Sequence, residues 1–292
     1  MGTELIWGLS DEAYHADREH TSHSRIRDYA NHGAAFYYER YLTGEIARKV
    51  TGALEYGTAF ETLYQRGGDA FAETVMVEPE GFDGRTTAGK QWAAAAKASG
   101  KITIAHADYL SMLKMAERAR QSPHMALFEA CGDQPTLRGH AYGLRIQARP
   151  DWLCTTGHER TGFRPYSIDL KTTKDLSDLS TREGVVSLGY HTQSAITRAL
   201  MRQYLAERGE DTETEHYLFV VEKCYPHRNA LLRLNPEVLD YGDLYLEKYG
   251  RELARCIAND HWPVALPDVI EIGLPRRAQQ RGAAHNDNAQ IA

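Results

Sequence analysis

Long apolar runs are missing from this chain of 292 residues: none reaches transmembrane length, and no basic segment leads into an apolar one near residue 1. Neither membrane insertion nor secretion is therefore indicated, and a cytoplasmic protein with no membrane partner is expected. Paired cysteines are missing too. Cys131, Cys154, Cys224 and Cys256 stand far apart with no C-x-x-C spacing, which argues against a zinc knuckle or an iron–sulfur cluster and for reduced, structural thiols. Positive charge is not in excess. The formal net charge is −6, whereas nucleic acid is usually met by a basic surface, so such a partner would need a local basic groove. No internal repeat is present. What remains is an ordinary folding composition, 42% hydrophobic, enough to fill one large domain or two small ones.

Caps, breakers and periodicity divide the chain. Helices are expected over 10–14, from a Ser22 or Ser24 cap through residue 29, and over 34–41. The last two make an aromatic and basic region able to stack bases or grip phosphates, or simply to pack. A helix over 57–64 carries Phe60, Leu63 and Tyr64 on its apolar face with Glu61 beside it. A strand over 74–77, a helix over 86–98 and a short strand or connection over 101–104 follow. Pro123 separates helices over 107–120 and 125–130. Strands over 136–141 and 144–153 read as a hairpin around Tyr142-Gly143, and 166–172 is the next strand. A polar segment over 174–187 leads to a long helix over 190–208, with Tyr190, Gln193 and Thr197 on one side. Strands over 216–222 and 229–234 and a helix over 237–258 complete the order. This is an α/β pattern, a mixed central β-sheet flanked by helices, with a helical N-terminal part to about residue 70. A single domain over 1–275 and a disordered tail over 276–292 are expected.

The chemistry gathers where two strands alternate. Over 144–153, Leu144, Ile146 and Ala148 face one way and Arg145, Gln147, Arg149 and Asp151 the other. Over 166–172, Ile168 and Leu170 oppose Asp169 and Lys171. If these strands are neighbours, Asp151 joins Asp169 and Lys171. Two carboxylates and a lysine on one sheet face suit a divalent metal that activates water against a phosphodiester. His15, His20 and His23 share no helix face, make a poor zinc site and are expected to be ordinary polar residues.

Pro150-Asp151 followed by Asp169-Leu170-Lys171 resembles the PD and D-x-K of the PD-(D/E)XK nuclease superfamily. Further segments, in order, resemble one branch of it, the phage and bacterial recombination exonucleases of the RecE (exonuclease VIII) type, related to the RecB nuclease domain. They are Ser22-His23-Ser24-Arg25-Ile26-Arg27, Gly57-Thr58-Ala59-Phe60, Ala148-Arg149-Pro150-Asp151, Ile168-Asp169-Leu170-Lys171-Thr172-Thr173, and the helix beginning at Tyr190 that carries Gln193. The resemblance implies a restriction-endonuclease-like core over about 71–262. It implies Mg²⁺, with Mn²⁺ as a substitute, on Glu61, Asp151, Asp169 and the backbone carbonyl of Leu170. Lys171 would orient the attacking water or stabilise developing charge, and Gln193 would bond the scissile phosphate or fix Lys171. Ser24, Arg25, Tyr190 and Gln193 are the implied substrate contacts. The implied activity degrades linear double-stranded DNA from its 5′ ends, leaving 3′ overhangs for recombination. A single-strand annealing recombinase as partner, a homo-oligomer and a phage or prophage origin are implied as well. The chain departs from the branch at Glu61, where histidine is usual, at His191, often an acid, and at Thr197, commonly tyrosine. A structure-specific or single-strand endonuclease of the same fold and a catalytically silent DNA-binding module are the alternative readings.

Overall fold

The computed structural model of the protein describes residues 2–47, 51–157, 162–177 and 182–264; the expected tail over 276–292 lies outside them. Contacts gather residues 1–262 into one unit, and of the second, Pro263–Ala292, only Pro263 and Val264 are described.

The chain opens with a strand not foreseen from the sequence, β1 (Glu4–Ile6), followed by α1 (Asp11–Ala16), whose first turn is capped by the Ser10 hydroxyl accepting from the Ala13 N–H. Ser22 precedes α2 (His23–His32), which Gly33 ends at φ 88°. α3 (Ala34–Tyr37) and α4 (Gly52–Glu61) each run on into a π-helical turn, Tyr38–Thr43 and Thr62–Arg66. Then come α5 (Gly67–Thr74), β2 (Val75–Val77), α6 (Thr87–Ser99), β3 (Ile102–Ile104), α7 (His106–Arg120) and α8 (Met125–Glu129). The strand-rich half holds β4 (Gly132–Asp133), β5 (Thr136–Ala141), β6 (Leu144–Ala148), β7 (Trp152–Cys154) and β8 (Tyr166–Thr173). α9 (Arg182–Ser187), α10 (Tyr190–Ala206), β9 (Glu215–Glu222), β10 (Asn229–Arg233) and α11 (Pro236–Asn259) complete it.

Two main sheets result. The larger is mixed, in the order β10-β9-β8-β7-β4, with β8 and β9 parallel and the other neighbours antiparallel. Parallel neighbours need a crossover, which α9 and α10 supply. The smaller is antiparallel, β1-β5-β6, and β2 pairs with β3 separately. The mixed α/β architecture expected from the sequence is the one found.

One expectation is corrected. The alternation over 144–153 reads as a single strand, but the chain leaves the small sheet after Ala148 and enters the large one at Trp152. Pro150 has no N–H to give a ladder and holds the preceding residue extended, so pairing breaks there while the backbone stays straight enough for the alternation to persist. Consequently β6 is not a neighbour of β8; β7 is. The free edge of β6 takes up the lead into α2 instead, through Thr21 N–H to the Arg145 carbonyl (2.9 Å) and Gln147 N–H to the Thr21 carbonyl (2.8 Å).

Three apolar clusters hold the layers. Tyr166, Ile168, Leu170, Tyr217 and Phe219 of the large sheet pack on Phe60, Leu63, Met112, Met115 and Phe128 from α4, its π turn, α7 and α8. Leu137 and Ile146 of the small sheet pack with Ile26, Ile196, Leu200, Leu246 and Leu253 from α2, α10 and α11. Leu218 and Val220 meet Val185 and Leu234. Helix α10 touches β5 and β6 of the small sheet and β9 of the large one. Its packing on α11 requires glycine, because a Cβ on Gly242 would lie 2.4 Å from the His191 carbonyl oxygen, whereas one on Gly139 of β5 would first meet the side-chain end of Gln203.

Candidate active site

The register of β7 against β8 builds the centre. Trp152 pairs with Ile168, so the next position outward sets Asp151 opposite Asp169. Asp151 lies just outside the strand and is fastened on both sides: its Oδ2 accepts the Leu170 N–H (2.6 Å), and its carbonyl accepts the Gln134 N–H (2.9 Å). Burial holds the Asp151 carboxyl well above its ordinary value; Glu61 and Asp169 add to the rise, which Lys171 and the Leu170 N–H oppose.

Asp169 has a different environment. It is 2% exposed, with Oδ1 3.7 Å from Lys171 Nζ and Oδ2 3.0 Å from His216 Nε2. Burial alone would raise its carboxyl, but the Lys171 charge, the His216 ring and the His23 ring outweigh it and bring the pKa down to about 2. Lys171 answers in kind. Burial works against its ammonium, yet Asp169, Asp151, Tyr190 and Glu61 together hold it above its ordinary value.

Glu61 comes to this centre from the last turn of α4, where it interacts electrostatically with Lys171 and Asp169. Burial raises its carboxyl; Lys171 and Arg66 oppose the rise, Asp11 and Asp169 add to it. Gln134 fixes the side chain: its amide donates to Glu61 Oε1 (2.7 Å) and Gln65 Oε1 (2.9 Å) while its own oxygen accepts from Arg66 (2.7 Å). Gln134 stands at φ 44°, a left-handed conformation uncommon outside glycine.

Of the other residues singled out in the sequence, Tyr190 reaches the centre, with Lys171 Nζ 5.6 Å from its ring centroid. Gln193, one turn further along α10, is half-buried. Ser24 Oγ lies 3.0 Å from Ser22 Oγ. Arg25 is 8% exposed and its guanidinium is spent on the His20 and His15 carbonyls (2.9 and 3.0 Å) under the Tyr41 ring, so as placed it ties down the N-terminal segment instead of facing outward. Of the departures, His191 is buried and stacked on Tyr241. Thr197 Oγ1 donates to the Gln193 carbonyl (2.9 Å).

Besides Gln134, three neighbours were not legible in the sequence. His23, taken there as an ordinary polar residue, stands at the start of α2 where Lys171, Asp169 and His216 act on it; burial first, then Lys171 and Arg27, bring its ring down to about 3. His216 and Ser167 are register partners across β9 and β8, 2.8 Å apart between Nδ1 and Oγ. The parallel register that brings them together cannot be read from either strand alone. His20 is paired to Asp17 (2.9 Å), away from any zinc-like cluster.

Among the described residues no three His, Cys, Asp or Glu side chains converge closely enough to hold a metal ion. The donor set nevertheless fits a hard cation in kind. Asp151, Glu61 and Asp169 are oxygen ligands, two of them with charges that burial and mutual repulsion resist, and Asp169 Oδ2 is buried without a hydrogen-bond partner among the described residues. A divalent ion would be a countercharge for the raised Asp151 and Glu61 carboxyls.

The family described as a PDDEXK-like domain of unknown function (DUF3799) matches residues 22–268, a span that includes every residue of this centre. No curated protein matches the chain. Among solved structures, the crystal structure of a Eubacterium rectale protein bearing the name "Putative exonuclease" is similar at a TM-score of 0.61 and 13% identity, covering 94% of this chain and 98% of that one. At that identity the likeness speaks for the fold. It agrees with the PD-(D/E)XK core expected from Pro150-Asp151 and Asp169-Leu170-Lys171.

Proposed function

The chain belongs to this PDDEXK-like family, and from that premise we propose that it is a divalent-metal-dependent nuclease that hydrolyses phosphodiester bonds of DNA. The observation that carries the reading is Asp151 set opposite Asp169 across β7 and β8, with Lys171 two residues on and on the same face. Structural carboxylates are rarely buried against one another without a countercharge of their own.

Asp151, Asp169, Glu61 and the Leu170 carbonyl are the groups that would hold Mg²⁺, with Mn²⁺ as a substitute. There such an ion would supply neutralisation of charge at the phosphate and a lowered pKa for water near neutral pH. The protein's own groups prepare the rest. The Leu170 N–H fixes the Asp151 carboxylate, and Gln134 fixes Glu61. Lys171, kept protonated by its carboxylate neighbours, presents a fixed positive charge where negative charge grows on the phosphate, and it can orient the attacking water. Tyr190 borders the ammonium, and the half-buried Gln193, one turn further along α10, would bond a phosphate oxygen.

The finer reading is an exonuclease on linear duplex that works 5′ to 3′ and leaves 3′ overhangs for recombination. The order of the RecE-type motifs supports it. On the same ground the partners are duplex ends, a single-strand annealing recombinase and further copies of the chain, in the cytoplasm of a phage-bearing bacterium. A time course on linear duplex labelled at either the 5′ or the 3′ end, with Mg²⁺, tests it: loss of the 5′ label first is expected. Undiminished activity in Asp169→Ala or Lys171→Ala would sink the mechanism, and closed circles cut as readily as linear DNA would replace the exonuclease with an endonuclease.

A further inference from the structure

His216 has no part in the motifs that the sequence offers, yet it lies closer to Asp169 than Lys171 does. On the face of β9 that it shares with them, Leu218 and Val220 are fully buried, and Glu222 at the strand's end is buried and paired with Arg228. An imidazole in such a place is costly unless its polar atoms are used. Its Nδ1 lies 2.8 Å from Ser167 Oγ and its Nε2 3.0 Å from Asp169 Oδ2, with Ser167, Asp169 and His216 all at most 2% exposed. Neither Nε2 nor Oδ2 has a hydrogen-bond partner of normal angle among the described residues. The ring edge thus confronts the carboxylate oxygen and no other acceptor competes for it. With Ser167 donating to Nδ1, the ring hydrogen sits on Nε2, the ring atom that lies 3.0 Å from Asp169 Oδ2. Arg198 and Thr214 lock β9 against α10 just before this point, Arg198 Nε to the Thr214 carbonyl (3.3 Å) and Thr214 Oγ1 to the Arg198 carbonyl (3.3 Å).

We infer that His216, itself held by Ser167, is a positioning residue that fixes the rotation of the Asp169 carboxylate so that Oδ1 keeps facing Lys171. The inference rests on the metal-dependent nuclease reading, since it is a claim about a ligand of the ion. Partners behind metal ligands set ligand orientation, and losing one typically weakens metal binding 10- to 100-fold.

The test uses two substitutions that stay polar and close in size. His216→Gln can keep a donor near the position of Nε2, and His216→Asn keeps a group near Nδ1 but withdraws the donor from Asp169. Mn²⁺ affinity is measured by isothermal titration on the full chain, and folding by thermal denaturation in EDTA. The expected result is a loss of about 10- to 100-fold in His216→Asn, with His216→Gln near the wild type, and an intermediate loss in Ser167→Ala. A merely structural histidine would lower the melting temperature equally in Asn and Gln variants and leave Mn²⁺ affinity alone; that outcome overturns the inference. If the wild type binds no Mn²⁺ that Asp151→Asn abolishes, the metal reading falls and takes this inference with it. If the wild type binds and His216→Asn binds as well, the inference falls alone.

Discussion

Asp151 and Asp169 face one another across two strands, yet one half of the site is acidic and the other basic. Asp151 shares its half with Glu61, and both carboxyls are raised. Asp169 shares its half with Lys171, His216 and His23, and its carboxyl is brought down to about 2. The difference teaches that register decides which groups meet, while the flanking elements decide their charge. Lys171 and His216 come from the central parallel strands, and Lys171 gives Asp169 a countercharge from within. Glu61 arrives from α4 and takes one away from Asp151. A cation is needed on the acidic half; the basic half is already balanced.

The comparison breaks most completely at Lys171. Lys171→Ala is expected to slow Mg²⁺-dependent cleavage of labelled duplex on the order of 10²–10³-fold, the scale of losing one fixed charge aimed at the transition state. It also leaves Asp169 with only its histidines, so the metal-free protein should melt at a lower temperature.

Acid reverses the standing of the two carboxyls. Asp169, depressed to about 2 against an ordinary value of about 4, contributes stability that is present above pH 4 and is lost as pH falls toward 2. That contribution is about 2–3 kcal/mol. Asp151 and Glu61, raised, do the opposite: their charged forms cost stability at pH 7, and the cost lifts as pH falls through their raised values. Urea unfolding in EDTA should therefore show wild type well above Asp169→Asn at pH 5 and level with it near pH 2; a gap independent of pH would contradict the assignment.

Asp151→Asn sharpens the contrast from the other side. The amide oxygen can still accept the Leu170 N–H, the repulsion with Glu61 and Asp169 disappears, and the melting temperature in EDTA should rise by about 2–4 °C, the shift that about 1 kcal/mol gives in a large domain. Cleavage should be lost in the same variant, so stability and activity move in opposite directions. The smallest effect belongs to Gln134→Ala, which frees Glu61 at a cost of about 1 kcal/mol, read from the urea midpoint. Mn²⁺ binding should weaken less than in His216→Asn.

Much of this was legible in the residues. Alternation through Ile168-Asp169-Leu170-Lys171 places the carboxylate and the ammonium on one face, and Pro150-Asp151 marks the end of a strand. The start of α2 after Ser22 and the helical placement of Glu61 were legible as well, because helix starts and apolar faces are local, although the Ser22 hydroxyl meets Ser24 and caps nothing among the described residues. What was hidden is non-local. The same alternation runs through Arg149-Pro150-Asp151, so nothing in it shows that the two ends lie in different sheets. The 49-residue separation of Ser167 and His216 is closed only by the parallel register of β8 and β9. His23 depends on Thr21 pairing with the edge of β6, and Gln134 depends on a left-handed backbone conformation that glutamine seldom adopts. Arg25 looked like a phosphate contact because composition does not reveal which arginines are already taken by carbonyls.

The passage between the two sheets constrains length more than composition. Arg149, Pro150 and Asp151 span it with no slack, since Ala148 is still paired to β5 and Trp152 is already paired to β8. One residue inserted there must bulge out or slip one of the two ladders, and a one-position slip of β7 would carry Asp151 away from Asp169 and turn its side chain to the other face of the strand. Relatives that retain this chemistry should therefore tolerate exchanges at Arg149 more readily than any gain or loss of a residue between Ala148 and Trp152.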